Sequence, residues 1–240
     1  CWEKHFNNQR DFIPYAREAG YTGIVMTSWS TSGVYGFTWD VNYEVVEMEQ
    51  IRNTYPLSGF RILLASYAQA LNQLEPIDPR SFVVQYAADR FGLNESEGEL
   101  LWETLTIPPE LIVNGKPASS PSISAMRDTV AAAVAKMNTL KASGNIEEFE
   151  HLRLMLDLRN HYLAFKEAEA RYNSPGFSIN DRAGIVSDLE QLIKESGKLD
   201  KRFARLNKGF LHDTEIAEQN LIRNRKLILL HERLTGNRSL

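Results

Sequence analysis

Residues 21–30 read Tyr21-Thr22-Gly23-Ile24-Val25-Met26-Thr27-Ser28-Trp29-Ser30. The stretch is short and rich in β-branched residues, and glycine, serine and threonine bound it on both sides, which is the pattern of a β-strand. Its centre is almost continuously apolar, so we expect a strand that is buried on both faces. A single strand cannot satisfy its own backbone hydrogen bonds, so this strand needs neighbours.

Helical patterns lie on both sides of the predicted strand, over residues 3–19 before it and 57–73 after it. A helix, a buried strand and a second helix make up one step of a parallel sheet or barrel. We therefore predict a mainly α chain that starts with the end piece of a (β/α)8 barrel. We also expect the chain to be the C-terminal part of a larger protein that supplies the other strands.

The rest of the chain has the spacing of helices that pack side by side. Asp78 and Pro79 have the form of a helix cap followed by a first helical residue. Apolar residues then recur at helical spacing over 122–142, 145–172, 181–207 and 214–234. This spacing predicts an antiparallel helical bundle. The expected domains are a barrel end with one strand, a helical connector and an antiparallel bundle, at residues 1–75, 76–118 and 119–240.

Composition excludes several classes of partner. The formal net charge is −4, which gives no electrostatic reason to expect nucleic acid. No apolar run approaches the roughly 20 residues that span a bilayer. The chain has no phosphate loop and no GxGxxG motif, and its five histidines include no His-x-x-x-His pair. We therefore expect no cofactor and no metal site.

The segment that follows the strand carries the candidate binding residues. It contains Trp29, Tyr35, Trp39 and Asp40, with Glu44 shortly after. In barrels the active site lies at the C-terminal ends of the strands, and aromatic faces with nearby polar groups suit a sugar. Burial of the two tryptophans in a core or a domain interface is the alternative, and composition alone favours it.

The carboxylates near the strand end are weaker candidates. Asp40, Glu44, Glu47 and Glu49 are close in sequence, and helical spacing places some of them on a common face. Glycosidases need two opposed carboxylates, or one acid aided by a substrate amide. Nothing in the sequence marks such a pair, so a solvated helix face is the favoured interpretation and no catalytic residue is assigned.

Residues 23–30 resemble the last barrel strand of family-20 glycoside hydrolases and their β-N-acetylhexosaminidase relatives, where glycine, three hydrophobic residues and Thr-x-Trp end the barrel. Residues 78–93 also resemble helices that follow the catalytic barrel of bacterial glycosidases. In that family an adjacent Asp-Glu pair performs the chemistry, and this chain contains no Asp-Glu dipeptide. By the resemblance, Trp29 would line the sugar or acetamide pocket, and Asp40 or Glu44 would bond sugar hydroxyls.

The resemblance implies the C-terminal portion of an exported, periplasmic or secreted bacterial hydrolase that acts on N-acetylhexosamine-containing glycans. The chain would supply one wall of the sugar pocket, while the catalytic acids would lie in a missing N-terminal part. Its partners would be the carbohydrate substrate and that N-terminal part. The alternative is a non-catalytic helical module that binds a protein or a carbohydrate.

Overall fold

A computed structural model of the chain describes residues 2–26, 57–108, 112–113, 116–117 and 121–236. Within these ranges there are eight α-helices: α1 (Trp2–Glu18), α2 (Leu57–Asn72), α3 (Pro79–Tyr86), α4 (Glu95–Leu105), α5 (Ile123–Thr139), α6 (Ile146–Tyr172), α7 (Ile179–Asn207) and α8 (Asp213–Thr235). A π-helical turn at Ala87–Phe91 continues α3. The strands in these ranges are two-residue segments, β1 (Ile112–Val113) and β2 (Lys116–Pro117), which pair antiparallel.

The predicted barrel end piece is wrong. Residues 21–26 form neither a strand nor a helix, and Val25 and Tyr21 are 86% and 69% exposed, whereas a strand buried on both faces would hide them. The physical reason is that a strand needs a partner for its backbone groups, and no described segment pairs with residues 21–26. Residues 27–30, the second half of the predicted strand, lie outside the described ranges.

The predicted helix start at Asp78 and Pro79 is confirmed, and further helix ends are capped as well. The Asp78 carboxylate accepts a hydrogen bond from the Ser81 backbone N–H at 2.7 Å, with Pro79 at the first helical position. Asn94 and Glu97 form a reciprocal capping box at the start of α4. Gly92 adopts φ +68° after the π-helical turn, a left-handed conformation that favours glycine.

The predicted antiparallel bundle is confirmed in the last three helices. Along α6 and α7 the ion pairs Asp157–Arg202 and Arg171–Asp188 follow opposite chain order, so the two helices run in opposite directions. We call α6, α7 and α8 the three-helix bundle. Its apolar interior is formed by residues from all three helices, among them Phe165, Leu189, Phe203, Ile216 and Leu230.

A second, larger core lies between the other helices and the first half of α6. We call it the shared core, and it contains Phe6, Phe82, Phe91 and Phe149, each at most 6% exposed. These residues come from all three of the segments that were expected as domains. One apolar cluster therefore contains residues of all three segments. The boundaries at 75 and 118 stay a prediction.

No helix in the described ranges is long and apolar enough to cross a membrane.

Candidate functional site

The residues predicted to bind sugar are Trp29, Tyr35, Trp39, Asp40 and Glu44, and all five lie outside the described residues. Their roles therefore stay a prediction. What the structure does describe is the chain that leads into this segment.

Residues 24–26, just before this segment, are held against α1 and α2. The Tyr67 hydroxyl donates to the backbone oxygen of Ile24 at 2.7 Å. The Gln9 side-chain amide of α1 donates to the Leu63 backbone oxygen at 3.0 Å and lies 3.6 Å from the Met26 sulfur. Gln9 is buried, and its bond to Leu63 is shielded from water. Ile24 and Met26 are thus held against α1 and α2.

A buried carboxylate joins α3 to α6. Glu148 is 6% exposed and accepts hydrogen bonds from the Tyr86 hydroxyl at 2.5 Å and from Arg90 Nε at 2.8 Å. Burial, and then the bond to Glu148, raise the pKa of Tyr86 above its ordinary value, so the phenol keeps its proton. The same carboxylate raises the pKa of Arg90. Because both oxygens of Glu148 already have partners, this cluster is suited to fix α6 and not to transfer protons.

A cavity of about 500 Å³ lies beside this cluster. Its lining combines the exposed apolar side chains of Leu64, Ile146 and Phe210 with Arg61 and Glu147. Arg61 and Glu147 carry opposite charges, and Arg90 is paired with Glu148. The cavity therefore has no net charge that would select a charged ligand.

A larger cavity of about 620 Å³ lies along the surface between α6 and α7. We call it the α6–α7 groove and define it by Asp157, Asn160, His161, Gln191 and Glu195. These residues face one another because antiparallel helices bring turns of opposite chain order together.

The ionic groups at the groove are largely paired. Arg127 of α5 binds Glu167, and Arg171 binds Asp188. Asp157 binds Arg202. Burial raises the pKa of Asp157, and the Arg202 guanidinium opposes that rise. These carboxylates are therefore committed to structural ion pairs.

His161 forms the floor of the groove and is 9% exposed. Its Nε2 lies 2.9 Å from the backbone oxygen of Leu192. Burial lowers the pKa of His161, so the ring is neutral near pH 7. A carbonyl oxygen only accepts, so Nε2 carries the hydrogen and Nδ1 has a lone pair. Beside it, the side-chain oxygen of Asn160 is buried and has no hydrogen-bond partner.

The described residues contain no group of three or more His, Cys, Asp or Glu side chains that could hold a metal ion. His151 and His161 are both buried on α6. Burial lowers the pKa of His151 to about 4. His151 and His161 are thus two buried, neutral histidines on one helix.

The groove itself was missed by sequence reasoning. A partial signal was present, because Asp157, Asn160 and His161 recur at helical spacing and mark a polar stripe on this helix. That stripe could have indicated a polar helix interface. Which residues of α7 face it depends on the register of the two helices, which the spacing on one helix does not determine.

Comparison with known proteins adds no assignment, since no family model, curated protein or solved structure matches this chain.

Proposed function

We propose that the chain is a non-catalytic, mainly helical portion of a glycoside hydrolase that acts on N-acetylhexosamine-containing glycans. In this proposal residues 29–44 contribute one wall of the sugar pocket. The proposal starts from the resemblance in sequence of residues 23–30 to the hexosaminidase family and includes no barrel strand.

The main support for the proposal is the way in which the chain is held at Ile24 and Met26. The chain that enters the candidate sugar segment is bonded to the core at Ile24 and lies against the buried Gln9 at Met26. A binding wall must be held in a defined position to align a substrate, because a misplacement of about 1 Å can cost roughly a hundredfold in rate. The bond from Tyr67 and the contact of Gln9 supply such a fixed starting point.

The described carboxylates support a non-catalytic role. Glu148 is bonded on both oxygens, and the groove acids Asp157, Glu167 and Asp188 are paired with arginines. A general acid needs a free approach to the substrate oxygen, which a carboxylate paired with an arginine does not offer. We therefore expect the catalytic pair to come from outside the described residues.

Binding of N-acetylglucosamine, followed by tryptophan fluorescence, tests the proposal. We expect the sugar to change the emission of the wild-type chain, and the double substitution Trp29→Phe/Trp39→Phe to remove that change. Trp102→Phe is the matched control, because Trp102 packs against the Phe6 ring at 5.9 Å within the shared core. A sugar response that survives in the double variant would overturn the assignment of residues 29–44.

Hydrolysis provides the second arm of the test. The purified chain is expected not to cleave an aryl N-acetylglucosaminide. Turnover by the purified chain would contradict the non-catalytic role, whether or not it persists in Asp40→Asn/Glu44→Gln.

A further inference from the structure

None of the residues that line the α6–α7 groove belongs to the predicted sugar segment, and the proposed function does not use the groove. We infer that this groove binds a small, neutral, hydroxyl-rich molecule of about monosaccharide size. The inference uses none of residues 29–44, although the choice of a sugar as the first ligand to test rests on the proposed function.

Size is the first argument. Ligand pockets in proteins typically measure about 300–1,000 Å³, and the groove, at about 620 Å³, lies within that range. It is open along one side, so a small molecule can enter without movement of either helix. Ala164, Leu192 and Leu199 give its lining an apolar part.

Charge is the second argument. Arg127, Arg171 and Asp157 each have an ionic partner. The charged lining residues that remain, Lys198 and Glu195, have opposite signs. Counted together with Arg202, the charges at the groove therefore cancel, so a charged ligand gains little from their combined field and still loses its hydration. A neutral polar ligand avoids that cost.

Hydrogen-bonding capacity is the third argument. The buried oxygen of Asn160 has no donor, and the bond of His161 Nε2 to Leu192 leaves Nδ1 as an acceptor. Glu195 accepts a bond from Gln191 at 2.7 Å and has further acceptor capacity. Of these three acceptors, the Asn160 oxygen is the one that is buried without a partner, and an unsatisfied buried acceptor costs about 1–3 kcal/mol. Hydroxyl groups supply donors and can also accept from Lys198 or Gln191.

The expected affinity is low. Among the described residues, no Phe, Tyr or Trp side chain lines the groove, so a sugar would gain no stacking on a flat apolar face. We expect a dissociation constant on the order of 1 mM.

NMR titration of the wild-type chain with N-acetylglucosamine tests the inference, with the ring signals of His161 as the local probe. We expect those signals to shift with saturation. Putrescine, a dication of similar reach, should shift them less at equal concentration. Stronger binding of putrescine than of the sugar would overturn the neutral-ligand assignment.

Two substitutions locate the site. Asn160→Leu removes the unpaired acceptor at similar volume, and Gln191→Phe fills the groove from an exposed position on α7. Each is expected to weaken binding at the groove tenfold or more while the melting temperature stays close to that of the wild type. Asn72→Leu and Gln69→Phe make the same changes on the exposed face of α2 and should leave binding unaltered.

The two proposals fail in different ways. If Asn160→Leu and Gln191→Phe bind the sugar as the wild type does, the groove is not a binding site. If the groove signals respond normally in Trp29→Phe/Trp39→Phe but tryptophan emission does not change in the wild type, the proposed function fails and the groove site stands.

Discussion

The shared core and the three-helix bundle meet along α6, but they are filled with different side chains. In the shared core, aromatic rings contact one another in series. Phe91 lies 5.6 Å from the ring of Tyr86 and 5.2 Å from that of Phe149, and both contacts are edge-to-face. Such pairs add about 0.5–1.5 kcal/mol beyond the burial of their area.

The three-helix bundle places polar groups where the shared core places rings. Asp200 of α7 accepts from Arg223 at 2.6 Å and from Asn224 at 2.7 Å, both on α8. Arg223 also lies over the Phe203 ring at 4.8 Å. Burial lowers the pKa of this arginine, and the Asp200 carboxylate opposes the change.

This difference shows what fixes the register of the helices in each region. Apolar burial provides most of the stabilisation but is not directional, whereas a buried polar pair is satisfied in only one register. The helices that form the shared core with α6 have 8 to 17 residues, and their core is apolar apart from the Glu148 cluster. The long helices α6 and α7, with 27 and 29 residues, could slip by a turn, and they carry the polar pairs. Truncation of a ring should therefore reduce stability most in the shared core, while pH should act most strongly between α6 and α7.

The largest expected effect is from Phe91→Ala. Phe91 is fully buried, and its loss leaves a cavity next to Tyr86 and Phe149. Substitution of a core Phe by Ala costs about 3–5 kcal/mol of unfolding free energy, which urea denaturation followed by circular dichroism would measure.

Phe12→Ala is the control, because Phe12 is 57% exposed on α1. Surface substitutions usually change stability by less than about 0.5 kcal/mol. Equal losses in the two variants would show that the aromatic series does not form the core described.

An intermediate effect is expected from pH, through His151 between α6 and α7. Its pKa is lowered to about 4 by burial, against an ordinary value of about 6.5 in the unfolded chain. The unfolded chain therefore binds more protons within this window. Stability is fully present above pH 6.5 and is lost as pH falls toward 4, by at most about 1.4 kcal/mol per pH unit for one histidine.

The urea midpoint of His151→Leu should accordingly depend less on pH between 6.5 and 4 than that of the wild type. At pH 8 the ring is neutral in both states, so any difference there measures packing alone and serves as the reference. Parallel pH curves for the two proteins would show that His151 is accessible to protons in the folded chain.

Local chemistry accounts for what could be predicted from the sequence. The caps at Asp78 and Asn94 act over three residues, and the apolar spacing of α6 to α8 repeats over many turns, so both are visible in the sequence. The predicted strand failed because β-propensity reports a fit to neighbouring strands. Ile24, Val25 and Met26 have that propensity, yet no described segment pairs with them.

Longer-range features were not predictable in this way. The π-helical turn packs against Gly144 and Asn145. The Gly144 backbone lies against the backbone oxygen of Arg90. The Asn145 side-chain amide donates to that oxygen at 2.9 Å. These contacts join positions more than 50 residues apart. The α6–α7 groove likewise depends on the register between two helices. The candidate sugar residues lie outside the described ranges, so their prediction stays open.

The smallest expected effects come from two glycines that should respond with opposite signs. Gly184 lies within α7, and a Cβ added there would meet no atom within 4 Å. Alanine is more favourable than glycine in a helix interior by about 0.8–1 kcal/mol, so Gly184→Ala should stabilise the three-helix bundle. At Gly144, between α5 and α6, an added Cβ would lie 2.7 Å from the Arg90 backbone oxygen, and overpacking of this kind costs about 1–3 kcal/mol.

Thermal unfolding of the two variants and the wild type tests the predicted gain and the predicted loss of stability in one experiment. A higher melting temperature for Gly184→Ala and a lower one for Gly144→Ala are expected, because the first change only restricts the unfolded chain and the second forces two backbones apart. Gly197→Ala is a second test of the predicted stabilisation, since Gly197 is also in α7 and an added Cβ there would also meet no atom within 4 Å. If Gly144→Ala melted like the wild type, the turn before α6 would not pack against the π-helical turn, and the shared core would not extend to α6 as described.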